Sequence, residues 1–364
     1  MNRQEIRYST IAKSGPANPR NDTASVIELN NGELLVLWHK YEASSDGGAD
    51  LAPCRIHAKT SADQGLTWGG ERMVVDIPPG DMNVHSPAIA RLPAGELLMI
   101  CLRAHSESST TMCTYRSEDE GQTFTQIGTV WERSPGQWLQ GGAVDIVVVS
   151  SGRLIVPCHG GTGGQFSQHN SAWCWLSEDD GRSWVRSRGT VDLPLRGAME
   201  ASLAEVDSGR IFMSLRTQLG SVFLSYSDDG GDTWSLPQTT GLKAPESGTC
   251  LSRIPGTDTL LLIWNDSIYE PAHHHFGRRR PLSMAVSTDE CRSWRRIGDI
   301  AGGEYEITNI GCTFTSAGNA VVTYLQVEDR DWERFIRTGI DLQAAIVPVS
   351  RILNADEGLG SSAG

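Results

Sequence analysis

The sequence predicts an all-β protein: a six-bladed β-propeller of four-stranded antiparallel blades. Two repeating signals and their alternation lead there. Five octapeptides of the form Ser-x-Asp-x-Gly-x-Thr/Ser-Trp/Phe begin at Ser61, Ser117, Ser177, Ser227 and Ser287, spaced by 56, 60, 50 and 60 residues. Six small or polar turns, each leading into an apolar run, lie at Asn31-Gly32, Ala94-Gly95, Ser151-Gly152, Ser208-Gly209, Thr257-Asp258 and Ala317-Gly318. Together they read strand, tight turn, strand, long loop, strand, octapeptide turn, strand, once per period. Self-similarity at such a period marks a propeller, a solenoid or an array, and four strands per repeat select the propeller.

The octapeptide, called a box below, is a turn with a plug. Its Ser and Asp side chains hydrogen-bond backbone amides in the bend, its glycine supplies a positive φ, and its aromatic residue fills the space between neighbouring sheets. In chain order, the first unit has the strand Ser25–Leu29, the run Leu34-Leu35 and the box Ser61–Trp68. The second has Leu97-Leu98 and the box Ser117–Phe124. The third has Val144–Val149, Leu154-Ile155 and the box Ser177–Trp184. The fourth has Ile211-Phe212 and the box Ser227–Trp234. The fifth has Leu260-Leu261 and the box Ser287–Trp294, with Cys291 in place of glycine. The sixth runs from about Glu304 to Val349, has no box, and takes its outer strand from Glu5–Ala12. That pairing of chain ends leaves no free sheet edge. Residues 1–354 read as one domain, and 355–364 as a disordered tail.

Composition sets limits. The chain has 364 residues, 39% hydrophobic and 21% charged, as expected of a globular protein. A net charge of −13 argues against nucleic acid or an acidic membrane surface as partner, and the cluster Arg278–Arg280 is too short to change that. Met1–Thr10 has no apolar core and no stretch approaches a membrane span, so the expected location is cytoplasmic. Eight cysteines without a CxxC pair read as free thiols, with neither a disulfide framework nor a zinc site. No metal or other cofactor is expected, since the adjacent His273, His274 and His275 cannot all face one ion. A homo-oligomer is compatible with the sequence.

Register locates the candidate site. If the first turn and the box turn lie on one side of each unit, the start of strand one and the end of strand two lie on the other. Seven residues past the turns stand His39, Leu102, His159, Arg216, Asn265 and Leu325, with Arg103 and Gln326 directly after the two leucines. Where strand one begins stand Arg20, Asn21 and Asp22; Asn83 and His85; Trp138 and Gln140; Glu200; Glu246; and Glu304, Tyr305 and Asn309. Convergent Arg, Glu, His and Asn around one mouth are the pattern of a ligand site.

The boxes resemble the Asp boxes of the sialidase (neuraminidase) superfamily, and the resemblance spans Arg20 to about Leu325. Arg253-Ile254-Pro255 is similar to that family's Arg-Ile-Pro element, although in the fifth unit. The resemblance implies an exo-glycosidase acting on an acidic sugar, a sialic acid or a related ulosonic or uronic glycoside. Three arginines would hold the sugar carboxylate, a Tyr–Glu pair would act as nucleophile, and an Asp as acid/base. Carried over residue by residue, Glu200 in Met199-Glu200-Ala201-Ser202 takes the Glu position and Arg216 the second arginine. Arg280 takes the third, with Arg279 as rival, and Arg20 takes the first. Asp50 is the acid/base candidate, with Asp46 close behind. The family tyrosine position falls on Asn309, and the nearest tyrosine is Tyr305, four residues earlier. The further binding candidates are His39, Asn83, His85, Arg103, His159 and Asn265. Two alternatives stay open. One is an inverting hydrolase or a uronate lyase using His39 or His159 with Glu200; the other is a sugar-binding module without catalysis.

Overall fold

The computed structural model describes residues 5–44, 48–141, 146–165, 168–328 and 338–354. Asp46, the start of the Val144–Val149 strand and the tail beyond 354 lie outside the described residues. The described chain is all-β apart from one short helix, Val349–Leu353.

The strands form five sheets, four of them four-stranded. The first unit is the meander Asn21–Glu28, Leu34–Tyr41, Cys54–Ser61 and Gly69–Val75. The fourth is Met199–Glu205, Ile211–Arg216, Ser221–Ser227 and Gln238–Lys243, and the fifth Cys250–Arg253, Leu260–Asn265, Leu282–Ser287 and Arg295–Ala301. The sixth is Tyr305–Phe314, Asn319–Glu328 and Asp341–Pro348, with Arg7–Ala12 as its outer strand. The chain ends therefore meet in one sheet, as the sequence suggested.

The second and third units depart from the expectation of six separate sheets. Asn83–Arg91, Leu97–Ser106, Ser109–Ser117 and Thr125–Trp131 form one meander. Val147–Val148, Leu154–Thr162, Ser171–Ser177 and Val185–Arg186 form the next. The strand Gln137–Gly141 pairs along Leu154–Thr162 and makes a parallel bridge from Gln137 to Ser109, fusing the two into one nine-stranded sheet.

The boxes fold as their chemistry dictates. In each, the Ser Oγ accepts the amide of the fifth residue at 2.8–3.0 Å. The Asp accepts both the amide and the hydroxyl of the following Thr or Ser at 2.6–3.0 Å. The fifth residue is left-handed, with φ of 78–91° at Gly65, Gly121, Gly181 and Gly231 and 62° at Cys291. Cys291 thus accepts a conformation that costs a residue with a Cβ about 1 kcal/mol. The box aromatics Trp68, Phe124, Trp184, Trp234 and Trp294 each pack into a different apolar layer between their own unit and the one before. A further layer joins units five and six, and the layer holding Trp68 joins unit six to unit one. Burial of each large apolar side chain there contributes about 1.5–3 kcal/mol, so the core is distributed over the unit-to-unit contacts.

Candidate functional site

The inner strands of four units carry a bulge at the same end. The register slips between Asp22 and Ala24, His85 and Ala88, Met199 and Ser202, and Thr308 and Gly311. Ser86, Glu200 and Asn309, inside three of these bulges, have φ of 52, 41 and 53°. A bulge adds a residue and re-aims a side chain, and a non-glycine residue at positive φ is kept only where its surroundings over-determine it. These bulges point their residues into a cavity of about 420 Å³, to which all six units contribute.

One wall is a chain of arginines and carboxylates. Arg216 donates Nη1 to Glu200 Oε1 at 2.6 Å and lies 3.3 Å from Glu246 through Nη2. Glu246, only 2% exposed, also takes Arg196 Nη1 at 2.9 Å and Gln218 Nε2 at 3.2 Å. Arg279 donates to the Glu246 carbonyl at 2.8 Å and to Thr308 Oγ1 at 3.1 Å. Burial, the largest influence, would raise the carboxyl pKa of Glu200 and of Glu246, but Arg216 together with His159 at Glu200 and with His275 and Arg196 at Glu246 outweighs it and holds both below the ordinary range. Burial and repulsion from Arg216 push the Arg279 guanidinium down to about 9. Gly248 gives the Glu200 carboxylate its room, because a Cβ there would stand 2.9 Å from Oε2.

Across the cavity, Arg20 donates Nε to Asp22 Oδ2 and Nη1 to Asp50 Oδ1, both at 2.6 Å, with its guanidinium 4.6 Å from the Tyr41 ring centre. Asp22 also receives the Thr23 amide at 2.6 Å and the Asn309 amide group, and against the upward push of burial these partners hold its carboxyl low. His39, His85 and His159 line the space between the two ion clusters. Burial pushes His39 and His159 down to about 4 and, helped by His39, His85 to about 3, so all three are neutral at neutral pH. Among the described residues no His/Cys/Asp/Glu group is arranged to hold a metal ion, and all eight cysteines are free thiols.

Of the residues singled out from the sequence, the cavity gathers Arg20, Asp22, His39, Asp50, His85, Trp138, Gln140, His159, Glu200, Arg216, Arg279 and Asn309. Five others fall elsewhere. Arg280, preferred over Arg279 as third arginine, turns away to the Gly303 carbonyl at 2.9 Å, because consecutive residues of an extended chain face opposite ways. Arg103, one past Leu102, faces Asp81 at 2.7 Å for the same reason. Asn83 is buried and donates to the Asp50 and Ala52 carbonyls at 3.0 and 3.1 Å, holding the loop that presents Asp50. Asn265 is buried and ties the Arg279 and Ile307 carbonyls, both at 3.0 Å. Tyr305 is 39% exposed and lies in a separate shallow depression beside Tyr8 and Tyr324. Four steps along the strand, about 13 Å at 3.3 Å each, separate it from Asn309, which does line the cavity. Register missed Tyr41, although it sits two residues past His39 and so on the same strand face, and Arg196, which lies in a loop that no turn count reaches.

A model of the BNR repeat-like domain matches residues 32–328. Among solved structures, a protein of unknown function from Dyadobacter fermentans superposes with a TM-score of 0.73 at 15% identity, covering 94% of this chain and 99% of that one. The Hadza microbial sialidase Hz136 gives 0.72 at 19% identity, covering 93% and 68%. The NanB sialidase of Streptococcus pneumoniae gives 0.72 at 13% identity, covering 94% and 71%. With the boxes folded as described, the chain belongs to the BNR repeat-like family and has the sialidase-like Asp-box fold.

Proposed function

We propose that this protein is a carbohydrate-active enzyme that grips an acidic sugar by its carboxylate and cleaves the adjoining glycosidic bond by acid–base chemistry, without a tyrosine nucleophile. In this reading the six units form one closed six-bladed propeller over residues 1–354, supported by apolar layers that run from each unit to the next and from the sixth back to the first.

The observation that carries the function is the cavity wall in which Arg216 bridges Glu200 and Glu246 while Arg196 and Arg279 close in beside it. Guanidinium groups hold a carboxylate by paired charge-assisted hydrogen bonds. The depressed pKa of Arg279 supports an anionic ligand, because negative charge arriving there relieves the repulsion from Arg216. Asn309 at the family tyrosine position is a carboxamide and cannot form the covalent glycosyl intermediate. Tyr305, outside the cavity, does not replace it. What remains is an ionised Glu200 and neutral histidines, groups that each carry a lone pair able to take a proton.

Two outcomes fit this machinery. A water activated by a base displaces the leaving sugar, or a base removes the proton on the carbon beside the bound carboxylate and the C–O bond opposite breaks as a C=C bond forms. The test is incubation with uronate-terminated oligosaccharides and α-sialosides, followed by mass spectrometry. Hydrolysis adds one water to the products; elimination adds none and leaves an unsaturated sugar. Arg279→Ala and Glu200→Gln are expected to lose on the order of 10²-fold in kcat/KM, the worth of a buried charged hydrogen bond of ~3 kcal/mol. Tyr305→Phe is expected to keep turnover within about twofold. Loss of turnover in Tyr305→Phe refutes the absence of a tyrosine nucleophile, and binding of acidic sugars without turnover refutes the enzymatic reading.

A further inference from the structure

The three cavity histidines are set apart by what faces their ring nitrogens. His39 Nδ1 accepts the backbone amide of Ser86 at 3.3 Å, and His159 Nδ1 accepts the amide of Glu200 at 3.2 Å. Both amides belong to the positive-φ residues of bulges, and each reaches the histidine of the preceding unit. A backbone amide only donates. The nitrogen that accepts from it carries the lone pair, so the proton of the neutral ring sits on Nε2. Adding a second proton would set N–H against N–H and cost the bond.

His85 differs. Its Nδ1 lies 2.8 Å from the Ser86 hydroxyl, which rotates to donate or accept. Its Nε2 has no hydrogen-bond partner among the described residues, although the residue is only 6% exposed and lines the cavity. Trp138 stacks on the ring at 6.1 Å and 9° and holds its plane. An orphaned buried nitrogen is costly unless a ligand satisfies it. Either tautomer is open to His85, whereas His39 and His159 have one each.

We propose that His85 is the proton-accepting group of this cavity, and that His159 is a fixed hydrogen-bond donor to the ligand. His39, whose Nε2 faces Asp22 at 3.9 Å and whose ring bonds the Thr23 backbone, is a fixed donor within the wall. The proposal rests on the acid-sugar reading above. In the reacting tautomer Nδ1–H donates to Ser86 Oγ and the Nε2 lone pair faces the substrate. A proton moves to Nε2 from the attacking water or from the carbon beside the carboxylate. The electron pair left behind forms the new C–O bond or the C=C bond. The bond to the leaving oxygen breaks with its pair on that oxygen, which takes a proton from a solvent water, and the resulting hydroxide recovers the proton from His85. Burial most strongly opposes the charged ring, and His39 and Arg20 oppose it too; Asp50 and Asp22 favour it, and Trp138 is neutral.

Imidazole ¹⁵N NMR of the whole protein, assigned with His39→Gln, His85→Gln and His159→Gln, reads the tautomers directly. His39 and His159 are expected to show only the Nε2–H pattern between pH about 8 and 6. Nδ1–H on either one overturns the donor assignment. On a substrate that is turned over, His85→Gln is expected to lower kcat by about 10²–10⁴ with KM little changed, and Ser86→Ala to lower it less. Retention of kcat in His85→Gln overturns the acceptor assignment. Absence of turnover on every acidic sugar overturns the functional reading and the acceptor role together; the NMR spectra alone then decide the donor assignment.

Discussion

Glu246 offers the most demanding test of the cavity wall. It is 2% exposed, and its carboxylate faces Arg196 at 2.9 Å and Arg216 at 3.3 Å. Glu246→Gln keeps the shape and removes the charge, leaving two guanidinium groups crowded without it. Removing one partner of a buried ion pair costs about 3–5 kcal/mol; the amide oxygen still accepts one bond, so ~3 kcal/mol is expected. Unfolding entropy near 2.1 cal/mol/K per residue gives ~0.76 kcal/mol/K for the 364 residues, so Tm should fall by ~4 °C at neutral pH. Acid provides an independent check. The folded carboxyl is depressed below its unfolded value, so its stabilisation is complete above pH ~4.5 and is lost as pH falls below that. The native protein should lose this increment in acid, and Glu246→Gln should not. Calorimetry and urea unfolding at several pH values measure both. If the cost is the orphaned charge, Glu246→Gln combined with Arg196→Gln should recover part of the loss. An unchanged Tm with an unchanged acid profile would refute the claim that this carboxylate organises the arginines.

Three further outcomes are expected. Gly248→Ala places a Cβ 2.9 Å from Glu200 Oε2; the flexible carboxylate moves aside, so stability changes by less than ~1 kcal/mol while kcat/KM falls at least about tenfold, which paired calorimetry and kinetics would separate. His39, His85 and His159 have folded pKa values near 4, 3 and 4, below the unfolded 6.5. Their protonation favours the unfolded chain, so stability present above pH 6.5 should decline toward pH 4 by on the order of 2–3 kcal/mol for each. His159→Gln should flatten part of that slope in urea titrations. Asp229→Ala removes an acceptor of four box hydrogen bonds; because solvent reaches the turn, the expected cost is about 1 kcal/mol, with ligand affinity unchanged by calorimetric titration.

Box chemistry is local, and it folded as its residues implied. Each box closes on its own Ser, Asp and backbone, and even Cys291 adopts the glycine's conformation. The alternation of strand and turn located His39, His159, Glu200 and Arg216 at one mouth, because the distance along a strand from a turn is fixed at 3.3 Å per residue. Pairing of the N-terminal strand with the sixth unit was legible for a similar reason: an apolar segment left over at one end and a strand missing at the other.

Counting failed where a side chain's direction turned on one residue of phase. Arg279 and Arg280 are adjacent, and only the tertiary path of that loop sends the first to the Glu246 carbonyl and the second to Gly303. For the tyrosine position the count held: it fell on Asn309, and the bulge at Thr308–Gly311 brings that residue to the cavity while Tyr305 on the same strand stays outside. The fusion of the second and third units through Gln137–Gly141 is a pairing between distant segments, without a local signature. The sequence by itself thus determined the repeat, the strand order within a unit and the chemical character of the mouth, since all three depend on neighbours along the chain. Tertiary structure alone decided which arginine, which histidine nitrogen beside a backbone amide and which end of a strand meet at the cavity. Those choices depend on bulges, buried amides and long-range ion pairs, which exist only after the units have packed.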